Sequence, residues 1–99
     1  MYFQINMVTE EDGWIVIDTD RPGSEPVRAL AKSIAEEMES EMYQLYEGDA
    51  QFMIKNDPYK LLFQYDDIFG TVVVLDDIKD KDKVIELLNN HFVKLKTLN

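Results

Sequence analysis

The 99-residue chain contains no cysteine, a single histidine, and only ten Lys and Arg against twenty Asp and Glu. Without cysteine there is no disulfide, no thiolate metal centre and no thiol nucleophile. A lone histidine, His91, removes most acid–base arrangements that need a partnered imidazole. The four glycines are isolated, and neither G-x-x-x-x-G-K-[ST] nor G-x-G-x-x-G occurs, so no phosphate-cradling loop or nucleotide cofactor is expected. No apolar run approaches the ~18 residues of a membrane span. The opening "MYFQINMVTEEDG" lacks a basic start and a continuous apolar segment, which places the protein in the cytoplasm by expectation.

The charge balance gives a formal net charge of −10. Nucleic acid is not expected as a ligand, because neutralising phosphates takes clustered cations and here they are scattered among acids. An anionic membrane surface is disfavoured for the same reason, whereas a basic protein surface would be attracted.

With 45% hydrophobic residues the chain can offset its ordering entropy, and its length suits one domain over residues 1–99. Residues 2–8 alternate, with Phe3, Ile5 and Met7 on one phase, and "EEDG" forms a turn before a second strand at Trp14 to Asp18. Ser24 is placed to cap a helix whose first turn tolerates Pro26. Val27, Leu30, Ala31, Ile34, Met38, Met42 and Leu45 then recur every three or four residues. That stripe predicts a helix from Ser24 to Glu47, ~35 Å long at 1.5 Å per residue, ended by Gly48.

Three further strands are expected at Gln51 to Lys55, Tyr59 to Tyr65 and Phe69 to Leu75. "TVVVL" is apolar on both phases and reads as a central strand. In the last segment Val84, Leu88, Phe92 and Leu95 share one stripe, with Asp80 or Asp82 available as the cap. The expected fold is α+β, a two-layer sandwich in the order ββαβββα. A mainly antiparallel five-stranded sheet is covered by two helices on one face.

Several constellations invite a chemical reading. "YDD" at 65–67 resembles a polymerase metal hairpin but lacks the residue that should separate tyrosine from the aspartates. With Asp18 it would define a small metal-dependent enzyme on Asp18, Asp66 and Asp67. A tight turn is the simpler role for such acids, and no metal site is expected. Asp76 and Asp77 cannot join them, since nine extended residues span ~30 Å. "DDIKDKDK" does not fit the ligand spacing of a calcium loop. His91 lies among the apolar positions of the last helix, pointing to a partly buried, hydrogen-bonded core residue. A serine triad would need Ser24, Ser33 or Ser40 beside it, with no elbow motif to support the nucleophile.

The leading expectation is a non-catalytic interaction or regulatory protein, of the inhibitor or immunity type, that engages a basic protein surface. Its predicted contact residues are Glu36, Glu39, Tyr43 and Glu47, on the polar side of the long helix, with Tyr43 the anchor and the glutamates steering. A homodimer is the further alternative, with Trp14, Tyr59 and Leu62 on an uncovered sheet face.

Overall fold

Two-residue alternation along antiparallel strands decides the architecture. The computed structural model describes residues 1–44, 51–56, 59–66 and 68–96, leaving out the side chains of 44, 55, 56 and 59. Six strands, β1 (Phe3–Thr9), β2 (Trp14–Thr19), β3 (Met42–Gln44), β4 (Gln51–Asn56), β5 (Tyr59–Asp66) and β6 (Gly70–Leu75), form one antiparallel sheet in the order β1-β2-β6-β5-β4-β3. Helix α1 (Glu25–Glu37) follows β2, and α2 (Lys81–Lys96) ends the described chain. The α+β class and the two helices agree with expectation. The expected five strands and the order ββαβββα do not, because β3 is formed by residues assigned to the long helix.

The core lies on one side of the sheet. Phe3, Ile15, Ile17, Phe52, Ile54, Leu61, Phe63, Val73 and Leu75 share it with Val27, Leu30, Ala31 and Ile34 of α1 and Val84, Leu88, Phe92 and Leu95 of α2. The α2 stripe and the α1 stripe from Val27 to Ile34 are therefore core. The Phe3 and Phe92 rings stack at 5.3 Å between centroids, fastening the edge strand β1 to α2. β6 is central, as "TVVVL" implied.

Helix α1 stops ten residues before the expected end at Glu47. The Ser40 amide donates to the Ala35 carbonyl (2.9 Å) and the Glu39 amide to that of Glu36 (3.2 Å), while Glu39 takes φ of 52°. This is the Schellman arrangement, with glutamate where glycine is favoured. It hides from a periodicity argument, because Met42 keeps the helical spacing yet reaches the core from β3. Leu45, Glu47 and Gly48 lie outside the described residues.

Smaller corrections follow from local hydrogen bonding. A register shift between Ile5 and Met7 sends Met7, expected beside Phe3 and Ile5, opposite Val16, and puts Val8 opposite Ile15 in the core. Ser24 occupies the N-cap of α1 but its side chain makes no capping bond. Asp80 closes a short 3-10 turn and Asp82 lies in the first turn of α2. Asp77 accepts from the Lys79 amide (3.0 Å) and caps that 3-10 turn, Ile78–Asp80, which leads into α2. Gly13 is required by its turn: φ is 71°, and a Cβ there would stand 3.1 Å from the Leu75 carbonyl oxygen.

Replacing Glu39 with glycine should raise stability. A left-handed residue with a Cβ costs ~1–2 kcal/mol, part of which glycine returns through its freer unfolded chain. A net gain of about 0.5–1 kcal/mol is expected from urea unfolding of E39G. An unchanged or lower midpoint would show that Glu39 is not strained.

Candidate functional site

Among the described residues, the junction of the two helices gathers polar side chains, and the sheet face opposite them carries uncharged surface.

At the junction, Ser33 and Glu37 lie one turn apart on α1 and close on His91 of α2. Ser33 Oγ is 2.7 Å from His91 Nδ1, and His91 Nε2 is 2.5 Å from Glu37 Oε2. A carboxylate only accepts, so Nε2 carries the hydrogen that binds Glu37, and in the neutral ring Nδ1 accepts from the Ser33 hydroxyl. Lys94 Nζ donates to the other Glu37 oxygen at 3.2 Å. The His91 and Lys94 hydrogen bonds, in that order, hold the Glu37 carboxyl below its ordinary range.

The connectivity is that of a serine–histidine–acid triad, but its placement is unsuited to catalysis. His91 is 0% exposed, and the reachable end is the Glu37 carboxylate, whose side chain is 45% exposed. Ser33 sits inside α1, where neighbouring amides are engaged in the helix ladder and offer no oxyanion hole. The cluster instead joins two helices and satisfies a buried imidazole, the role expected for His91.

The other acids expected to bear on chemistry have separate duties. Asp66 Oδ1 accepts from the Ile68 (2.8 Å) and Phe69 (3.0 Å) amides, making the tight turn, and Asp18 Oδ1 accepts from Asn6 Nδ2 (3.0 Å). Asp66 pairs with Gly70, and the register of β2 with β6 carries Asp18 to the other side of that glycine. Two strand spacings, ~10 Å, thus separate their backbones. Asp67 lies outside the described residues. Among the described residues no three His, Asp or Glu converge on a point that could hold a metal ion.

The second face of the sheet carries no helix among the described residues. One row of directly paired positions crosses all six strands: Thr9, Trp14, Val74, Leu62, Met53 and Tyr43. Beside it runs a second: Met7, Val16, Val72, Gln64 and Gln51. None of these eleven positions is charged, in a chain with 30% charged residues. Val16 (3% exposed) and Val72 (0%) are buried even here. Trp14 and Phe69, which come from opposite ends of this region, meet edge to face at 5.8 Å between centroids. Gln51 Nε2 donates to Gln64 Oε1 (3.3 Å), spending two amides on each other.

Continuing the alternation outward reaches charge. Asp18, Asp66 and Asp76 follow the same phase as Val16, Gln64 and Val74, and Glu41 that of Tyr43. Lys60 is the one cation among the described side chains of that border. A groove of about 200 Å³ opens between Met53, Leu62 and Val74, with Lys60 and Asp76 at its mouth.

The predicted contact residues are not brought together on one helix. Glu36 is exposed near the end of α1, Glu39 is exposed in its terminating turn, and Glu47 lies outside the described residues. Tyr43 is on β3, 46% exposed, at the end of the uncharged row on the sheet's other side. Its hydroxyl donates to Glu41 Oε2 at 2.6 Å, which raises the pKa of the phenol. Trp14 and Leu62 do share the uncovered face, as the dimer alternative required, while the Tyr59 side chain is outside the description. Sequence reasoning named those two but missed Met53, Val72 and Val74. Cross-strand pairing identifies them, and one strand alone does not reveal it.

The fold defines a two-layer α+β protein with one face of its sheet uncovered by the helices. No family model, curated protein or solved structure matches the chain.

The lowered Glu37 pKa sets the sign of a pH effect. A carboxyl whose folded pKa is depressed stabilises above its unfolded value, near 4.5, and that contribution disappears as pH falls through the folded value. Urea midpoints of E37Q should therefore fall less than those of the parent as pH falls below about 4.5. Parallel curves would remove Glu37 from the acid response. In a second test, H91L should cost ~1–3 kcal/mol at neutral pH, through loss of the two hydrogen bonds of the buried ring, while retaining the fold by circular dichroism. An unchanged urea midpoint would contradict the buried network.

Proposed function

We propose that this chain is a non-catalytic interaction module that engages a basic protein. The observation supporting this reading is that its acidic excess remains on the surface. Ion pairs of the described residues engage Glu10 with Lys81, Glu25 with Arg21, and Glu37 with His91 and Lys94. Glu11, Asp12, Asp18, Glu36, Glu39, Asp76 and Asp77 are exposed outside those pairs. A net charge of −10 then supplies a long-range field that accelerates encounter with a cationic surface and disfavours nucleic acid and anionic lipid.

The metal-enzyme alternative gains little support, because Asp18 and Asp66 already accept hydrogen bonds on opposite sides of Gly70. The Ser33–His91–Glu37 cluster does not favour hydrolysis, with its imidazole buried and no free amides around the serine. Inhibitor and immunity-type roles both remain within the proposed class, since each requires a rigid acidic surface presented to a basic target.

Affinity capture on the immobilised full chain tests the class. A specific partner retained at about 50 mM salt and released toward 1 M is expected, as the Debye length shrinks from ~14 Å to ~3 Å. Its contact patch should be rich in Lys and Arg. E36K with E39K should slow association only if the helix layer contributes steering. A specific partner whose retention does not change with salt would contradict the electrostatic reading.

A further inference from the structure

We infer that the basic partner docks on the helix-free face of the sheet, and that its patch has an apolar centre bordered by Lys and Arg. The inference rests on the reading above and adds the surface, the anchors and the shape of the complementary patch.

The size of the face leads to this partner. Five strand spacings of ~4.8 Å make the uncharged rows ~24 Å wide, and two rows are ~13 Å deep, an area of about 300 Å². A stable partner covers about 800 Å² on each side, so it must cover the charged border too. That border carries Asp18, Asp66, Asp76 and Glu41, against Lys60 and the Lys55 position that the register pairs with it. A second copy would bring four acidic positions against the same four, with the Lys55–Lys60 pair at one edge to offset them. A partner with a cationic border meets it with opposite charge, while its apolar side chains enter the groove between Met53, Leu62 and Val74.

The face also has the composition of an interface centre, depleted of charge and furnished with Trp14, Met53 and Tyr43. Antiparallel sheets that face water usually present polar side chains there. Here Trp14 and Phe69 pack edge to face, and Val16 and Val72 of the same face are buried. Glu36 and Glu39, in the helix layer, are then steering charges rather than contacts.

The test uses three synthetic peptides: one with a central Leu-Phe-Leu flanked on each side by lysine pairs, one with those lysines changed to glutamate, and one with the centre changed to serine. Trp14 is the only tryptophan, so its emission reports binding at this face, and amide shifts of the isotope-labelled chain locate the contact. The lysine-flanked peptide should bind at least ten-fold tighter than either control and shift the amides of Trp14, Leu62, Val72 and Val74. L62Q with M53Q leaves the net charge unchanged and should weaken it about ten-fold. E36K with E39K should change its affinity less than three-fold.

If the double glutamine variant is misfolded by circular dichroism, the shift map on the unaltered chain decides. Binding that survives L62Q with M53Q but disappears with E36K and E39K overturns the assigned surface and leaves the basic-partner reading standing. Equal binding of the lysine- and glutamate-flanked peptides overturns the cationic border. No binding of the lysine-flanked peptide overturns both. A dimer by sedimentation equilibrium that L62Q with M53Q dissociates assigns the face to a second copy and overturns the proposal.

Discussion

The structure depends on one constraint: in an antiparallel sheet covered from one side, every second side chain is committed to the core and its neighbour is not. Both helices lie over the phase defined by Ile15, Ile17, Phe52, Ile54, Leu61, Phe63, Val73 and Leu75. The opposite phase has no helix to bury it among the described residues, and what it holds is free to serve another purpose. The register shift after Ile5 extends this division to the edge, moving Met7 to the open side and restoring Val8 to the core.

The helix layer is held by more than apolar contact. His91 is the point at which α1 and α2 recognise each other, through Ser33 on one ring nitrogen and Glu37 on the other. An apolar side chain there would pack but would leave the relative placement of the helices less specified. The arrangement resembles a hydrolytic triad because both problems have one solution, an imidazole whose two nitrogens need a hydroxyl and a carboxylate. Burial and the absence of free amides separate the structural case from the catalytic one. Other polar ties fasten the sheet to its surroundings, notably Lys81 with Glu10 (2.7 Å) between the start of α2 and the β1–β2 turn, and the Tyr2 amide with Asp20 (2.9 Å).

Much of this was legible in single segments. Alternation gave β1 and β2, periodicity gave the buried stripes of α1 and α2, and the apolar character of "TVVVL" gave the central strand. The end of α1 was not, because termination at Glu39 uses backbone hydrogen bonds available to any residue that tolerates positive φ, and the sequence offers glutamate instead of glycine. Met42 compounded the error by satisfying helical spacing and core burial at once. Helical spacing therefore puts Tyr43 on the polar side of a helix, whereas it belongs to an edge strand facing the other way. The Ser33–His91 contact joins residues 58 apart, and the uncharged rows join six strands. Neither can be read from spacing along one element.

Acquisition of function by an otherwise uncovered face is the central claim, and Trp14 reports on it directly. Acrylamide quenching of its fluorescence, measured on the monomeric chain and again with the captured partner bound, compares the two states of that face. The account predicts a readily quenched tryptophan in the free monomer and a several-fold smaller quenching constant in the complex. Equal quenching in both states, with binding at saturation, would place the partner elsewhere and contradict it.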